Sequence, residues 1–156
     1  MGDPQDDLID HWSDSRHTSE RERFVRLLFE TSKKKATRIT LLTGDVHVAA
    51  QGVIESSRES SAPQNSNVIT QLVASGIVHP PAAPLITSAL NMLAGGFQTV
   101  YRGVEGKLVE FWPGGPHLLP KRNWLALVPI EGDSIRAQWH VESLDTQFTK
   151  DIGKCV

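Results

Sequence analysis

Arg38-Ile39-Thr40-Leu41-Leu42-Thr43-Gly44-Asp45-Val46-His47 is a short apolar run with β-branched residues that ends abruptly at a glycine; an acid and an imidazole follow, two residues apart. Runs of this kind read as buried strands of an α/β sheet. Ligand and catalytic groups gather beyond the carboxyl ends of such strands, on loops held by a rigid scaffold. Gly44 lets the chain leave the strand sharply, because a residue without Cβ tolerates positive φ. If the extended geometry persists, Asp45 and His47 point to the same side of the strand mouth. They are then candidate metal ligands or acid/base groups. The competing reading is a hydrogen-bonded Asp-x-His turn with no further role.

Upstream, Ser19 and Glu22 have the spacing of a capping box, and Glu20 suits the positive end of a helix. Phe24, Leu27, Leu28 and Thr31 recur at helical spacing, with Val25 and Phe29 widening the stripe. Arg21, Arg23, Arg26 and Glu30 fall largely on the other side. The helix is expected to stop near Lys35, with Lys33-Lys34-Lys35 at its negative end. A helix leading into a strand is the second half of a crossover unit. The strand at 38–43 therefore reads as central and parallel to an earlier strand, yet no earlier strand is found. Asp6-Asp7-Leu8-Ile9-Asp10-His11-Trp12 reads as an acidic entry loop with Trp12 set into the core.

Downstream, Val48–Ile54 reads as a second strand or a short turn into one, and Glu55–Asn67, with Ser56, Ser57, Ser60, Ser61 and Pro63, as a surface loop. A third strand spans 67–75 and ends at Gly76. Beyond it, Ile77-Val78-His79-Pro80-Pro81 holds His79 extended before the prolines, either as part of a structural turn or as a ligand. Pro84–Leu93 fits a helix with Leu85, Ala89 and Met92 or Leu93 inward. Residues 97–122, rich in Gly and Pro, read as a long irregular excursion, a lid or a surface that packs on something outside the chain. Asn123–Pro129 and Ser134–Glu142 read as a hairpin around Glu131-Gly132-Asp133, with Ile135, Ala137, Trp139 and Val141 on its buried face. Residues 143–156 read as a loose tail.

The 156 residues match one ordinary domain, large enough to bury about 70% of its unfolded surface. A formal charge of −2 carries no electrostatic signature of a nucleic-acid partner. Cys155 is the single cysteine, so no internal disulfide forms. The acidic N-terminal residues lack the apolar core of a signal peptide, and no apolar run approaches the roughly 20 residues of a membrane span. By default these features point to the cytoplasm.

The acidic stretch with its Trp, the helix beginning Ser-Glu-Arg-x-Arg and the strand closing in Gly44-Asp45-Val46-His47 together resemble the alkaline phosphatase D (PhoD-like) family of calcineurin-like metallophosphoesterases. Ala74-Ser75-Gly76-Ile77 and the hairpin residues Arg136-Ala137-Gln138-Trp139 fit as well. The resemblance covers residues 5–142 and is best over 7–54. It implies an α/β fold, the C-terminal part of an α/β/β/α sandwich with a mixed sheet and a C-terminal hairpin. It also implies hydrolysis of phosphate mono- or diesters with metal ions as cofactors, whether iron, calcium, zinc or manganese. Two such ions, about 3.5–4 Å apart, activate a water and polarise the phosphoryl oxygen. In the superfamily's last metal-binding motif, Gly-His-x-His, two histidines are ligands. By that correspondence His47 is a metal ligand and Asp45, standing where the first histidine would be, is the second.

The remaining superfamily motifs, Gly-Asp-x-x-Asp and Gly-Asn-His-Asp/Glu, are not found in this sequence; Gly132-Asp133 is followed by Ser-Ile-Arg. The chain thus reads as the C-terminal part of a PhoD-like phosphoesterase, inactive alone, with a phosphate ester as substrate of the complete protein. The other readings are a non-catalytic interaction or metal-binding remnant of that family, and an unrelated small α/β domain. The missing parallel neighbour of the 38–43 strand also implies an uncovered sheet edge that favours self-association.

Overall fold

The computed structural model describes residues 14–45, 47–57, 67–81, 83–145 and 147–153. The 6–12 stretch with Trp12, and the serine-rich segment from 58 to 66, lie outside the described residues.

A 3-10 turn, Ser15–His17, leads into helix α1, Thr18–Lys35. The helix starts one residue ahead of Ser19, with His17 at its N-cap and no side-chain cap. The expected Ser19–Glu22 capping box is therefore replaced. Asp14 accepts the Arg16 backbone N–H one turn earlier, a bond that holds its carboxyl below the usual range. Glu22 pairs forward with Arg26 at the favourable i,i+4 spacing. The buried stripe is Val25, Phe29 and Ser32, flanked by Phe24 and Leu28. Leu27 and Thr31, expected inward, are exposed, so the stripe sits one residue round the helix. Arg26 helps set that rotation by lying over the Tyr101 ring, 4.1 Å from its centroid. The helix ends at Ala36 in the left-handed region (φ 47°), and the Thr37 N–H closes the last turn on Ser32 O. The three lysines meet the negative end as expected.

Six strands form a mixed sheet: β1 (Ile39–Gly44), β2 (Ala49–Ser56), β3 (Val68–Ala74), β4 (Gln98–Tyr101), β5 (Val104–Val109) and β6 (Leu118–Leu119). Their order is β1-β3-β2-β5-β4, with β6 paired to β2. Only the β1–β3 pair is parallel, in the register Leu42 to Leu72 and Gly44 to Ala74. The strand expected to be central is thus an edge strand, and its parallel partner comes later in the chain, not earlier. The burial of β1 says the same, since its second half is exposed. A second sheet contains β7 (Asn123–Ile130), β8 (Ser134–Val141) and β9 (Phe148–Ile152), in that order and antiparallel.

Alternation along β3 divides the core in two. Ile69 faces α1, where Val25, Phe29 and Val104 close a cluster with Ile39, Leu41 and Ile54 beside it. Leu72 faces the second sheet, where Ala49, Leu119 and Phe111 meet Ala137, Trp139, Val141 and Ile152. The described residues therefore stack as helix, mixed sheet and antiparallel sheet, an α/β fold. Trp139 ties the two sheets by donating its indole N–H to Val73 O at 3.0 Å, and the Phe111 ring meets it edge to face.

Two expectations are corrected. The 97–122 segment is no irregular excursion: it holds the β4–β5 hairpin and β6. Val100, Tyr101, Val104 and Val109 are strong strand formers, and Arg102-Gly103 turns the chain with Gly103 at φ 81°. The glycines and prolines concentrate in a short loop after β5, where the Phe111 N–H bonds Pro116 O. A Cβ on Gly115 would lie 2.5 Å from the Trp112 ring, so only glycine admits the indole there. The tail is not loose either. Strand β9 extends the expected hairpin to three strands, because Phe148 and Ile152 bury against Trp139 and its neighbours, and Phe148 stacks on Trp112.

Helix α2, Pro84–Leu93, forms with proline at its start. Ala89, expected inward, is exposed, and so is Met92, one of the two alternatives with Leu93; the side chains of Leu85 and Leu93 lie outside those described. The helix is fastened by a polar residue instead: Asn91 Oδ1 accepts the N–H groups of His117 and Leu118, and its amide donates to Leu118 O.

Candidate functional site

Because β1 and β3 run parallel, both release their chains at the same edge of the sheet. The Gly44-Asp45-Val46-His47 turn and the Ser75–Pro81 loop leave side by side. The Asp45 N–H donates to Ala74 O at 2.9 Å, which extends the pairing one step past the strands.

Asp45 then turns the chain. Its Oδ1 accepts the backbone N–H groups of His47 (2.8 Å) and Val48 (2.9 Å), an Asx-type turn. One carboxylate oxygen is thus committed to the backbone, and among the described residues Oδ2 has no partner. His47 is held from the other loop: its Nδ1 lies 3.1 Å from Pro80 O. A carbonyl only accepts, so Nδ1 carries a proton, and in the neutral imidazole Nε2 then keeps its lone pair. Metal-ligating histidines are commonly oriented in this way, by a carbonyl on the far ring nitrogen. Both side chains are exposed at an open surface.

The structure also brings His79 to this place. Its ring stands edge to face with that of His47, centroids 6.0 Å apart. The loop that carries it is anchored beneath. Asn123 Oδ1 accepts the Ser75 N–H, and its amide donates to Ser75 Oγ and Lys121 O. Arg122 donates to His79 O at 3.1 Å while pairing with Glu142. The two prolines after His79 were its only signal in the sequence. Nothing local announces Arg122 or Asn123 as the braces, since the loop residues they hold, His79 and Ser75, lie more than 40 positions away.

The donors fit one side of a metal shell and no more. Among the described residues no group of three or more His, Cys, Asp or Glu is placed to hold an ion. The surroundings of the mouth are apolar: Leu42, Ile77, Val78 and Trp124 are all exposed. No helix among the described residues is long and apolar enough to cross a membrane.

Parallel strands that release their loops together at one edge of a layered α/β core define the broad class, an α/β protein. The particular family follows from comparison: the family model "PhoD related phosphatase" matches residues 2–110, and the chain belongs to that family. The chain is also 27% identical to the uncharacterized protein YGR266W of Saccharomyces cerevisiae over 152 aligned residues. That alignment takes in 81% of this chain and 22% of the yeast protein, so the chain spans about a fifth of the relative's length. No solved structure matches.

Proposed function

We propose that this chain supplies one wall of a metal-dependent phosphoric ester hydrolase site, with His47 and Asp45 as its metal-facing residues. The observation that carries the reading is the His47 ring itself, pinned through Nδ1–H to Pro80 O with Nε2 left as a donor at the end of β1. Membership of a phosphatase family supports it. Asp45 has a double task in this reading: Oδ1 shapes the turn that presents His47, and Oδ2 remains for a cation. A bound metal pair would supply Lewis acidity toward a phosphate oxygen and a nucleophile at neutral pH. The protein's own contribution is to fix the imidazole, keep its proton on Nδ1 and hold two loops in register through the parallel strand pair.

Two donors make an incomplete shell, so the 156-residue chain is expected to show negligible turnover of a generic phosphodiester with added iron, calcium, zinc or manganese. Activity is expected when a longer polypeptide of the family supplies the remaining ligands, and His47→Ala should then abolish it. Robust turnover by the chain alone that survives His47→Ala overturns the assignment.

A non-catalytic role in self-association is the second reading, favoured by the open edge of β1. Leu42, at 57% exposure, sits on a strand that has no further neighbour in the sheet among the described residues. Exposed edges and apolar patches of this kind promote association. Sedimentation should show oligomers of the chain that Leu42→Lys reduces; a monodisperse monomer before and after the substitution removes this reading.

A further inference from the structure

We propose that His79 is a second imidazole donor beside His47, and that the two together grip a single borderline divalent cation of the zinc class at the mouth of β1 and β3. The inference rests on the metal-facing role of His47 and extends it to a residue on the other loop. Neither resemblance nor spacing pairs these histidines, which lie 32 positions apart in the sequence. The parallel register does, by releasing both loops from one sheet edge.

Three observations carry it. First, the rings are 6.0 Å apart between centroids. Two imidazoles sharing one ion through nitrogens about 2.0–2.1 Å from it have centroids roughly 5–6 Å apart, so the observed separation lies close to the span that one ion needs. Second, both rings are exposed and, among the described residues, neither His47 Nε2 nor either ring nitrogen of His79 has a hydrogen-bond partner. Third, the backbone under each ring is already fixed. Pro80 O orients His47, Arg122 holds His79 O, and the buried Ser75–Asn123 network anchors the start of the loop. The entropy of bringing two loops together is thus spent in folding, which favours chelation over binding by either ring alone. Imidazole suits zinc, copper, nickel and iron better than calcium or magnesium.

The loop brace acts through the His79 carbonyl, so His79→Ala deletes the ring without deleting the Arg122 contact. The test titrates zinc and cobalt(II) into the purified 156-residue chain, reading heat and visible absorption, and follows the imidazole proton resonances in the cobalt form. One ion per chain is expected, with paramagnetic shifts on both His47 and His79. His79→Ala is expected to weaken binding by about tenfold or more, comparable with or beyond the loss of an outer-shell partner. His79→Asn should bind as weakly as His79→Ala while circular dichroism stays unchanged. If His47→Ala loses the ion and His79→Ala binds like the parent, the inference about His79 is wrong and the role of His47 stands. If neither substitution changes binding, both fail.

Discussion

Leu42 and Leu72 lie opposite each other on adjacent strands and share a sheet face, yet their surroundings differ completely. Leu72 is fully buried under the second sheet, whereas Leu42 is more than half exposed on the edge strand. The first belongs to a closed seam sealed by Trp139, Phe111 and Ile152. The second belongs to an open seam that borders the strand mouth with Ile77 and Trp124. One protein thus holds a finished core and an unfinished rim a single strand apart. Burial concentrates at the closed seam, and exposed apolar side chains gather at the open one.

Leu72→Ala should be the most damaging change, at about 2–5 kcal/mol, because a cavity opens where the two sheets meet. Leu42→Ala, the same substitution one strand away, should stay within about 0.5 kcal/mol, as exposed positions do. Denaturant midpoints of the two variants test the contrast directly; equal losses would mean that the β1 edge is covered in solution. Asn123→Ala should fall between them. It strands the buried Ser75 N–H and removes the donor to its hydroxyl, which keeps its own bond to Lys121 O, a loss of about 1–3 kcal/mol. Because the same network anchors the loop of His79, its imidazole resonances should also shift, linking the core to the rim.

The smallest effect is expected at Asp151, on the far side of the second sheet. Arg136 bonds both oxygens of this carboxylate, and those hydrogen bonds, helped by the positive charge, hold its pKa below the ordinary value. A carboxylate depressed in the folded state stabilises above its unfolded pKa, and that contribution disappears as pH falls through the folded value. Asp151→Asn should therefore melt slightly lower than the parent at neutral pH, and the two should converge in strong acid. Parallel melting curves over the whole acid range would show that this exposed pair contributes nothing.

Much of this contrast is legible in the sequence, and the rest is hidden for definite reasons. The β-branched run before Gly44 marks β1, and the alternation of Ala137, Trp139 and Val141 marks β8, because strand propensity and burial act locally. That β1 is an edge strand is not legible: its place depends on which partner wins its one paired side, a choice made by residues 68–74. The β4–β5 hairpin is hidden by the glycines and prolines of 97–122, which mostly flank its strands. Strand β9 carries a weak signal, because Phe148 and Ile152 are few and spaced among polar residues. At the site, Gly44, Asp45 and His47 stand out through their contiguity, whereas His79 reaches the same place only through the parallel pairing.

The indole of Trp139 reaches Val73, 66 positions earlier, and Ile152 completes the cluster that receives it. For a chain made from its N-terminus, this layout sets a timetable. Strands β1 to β3 leave the ribosome long before the layer that seals their second face exists. Until β7 to β9 emerge, Ala49, Leu72 and Leu119 lack the layer that covers them and must be kept from other nascent chains. This part of the native interior is therefore complete only once β9 has been made. A stop codon placed just ahead of Phe148 should yield a polypeptide that chaperones retain rather than release.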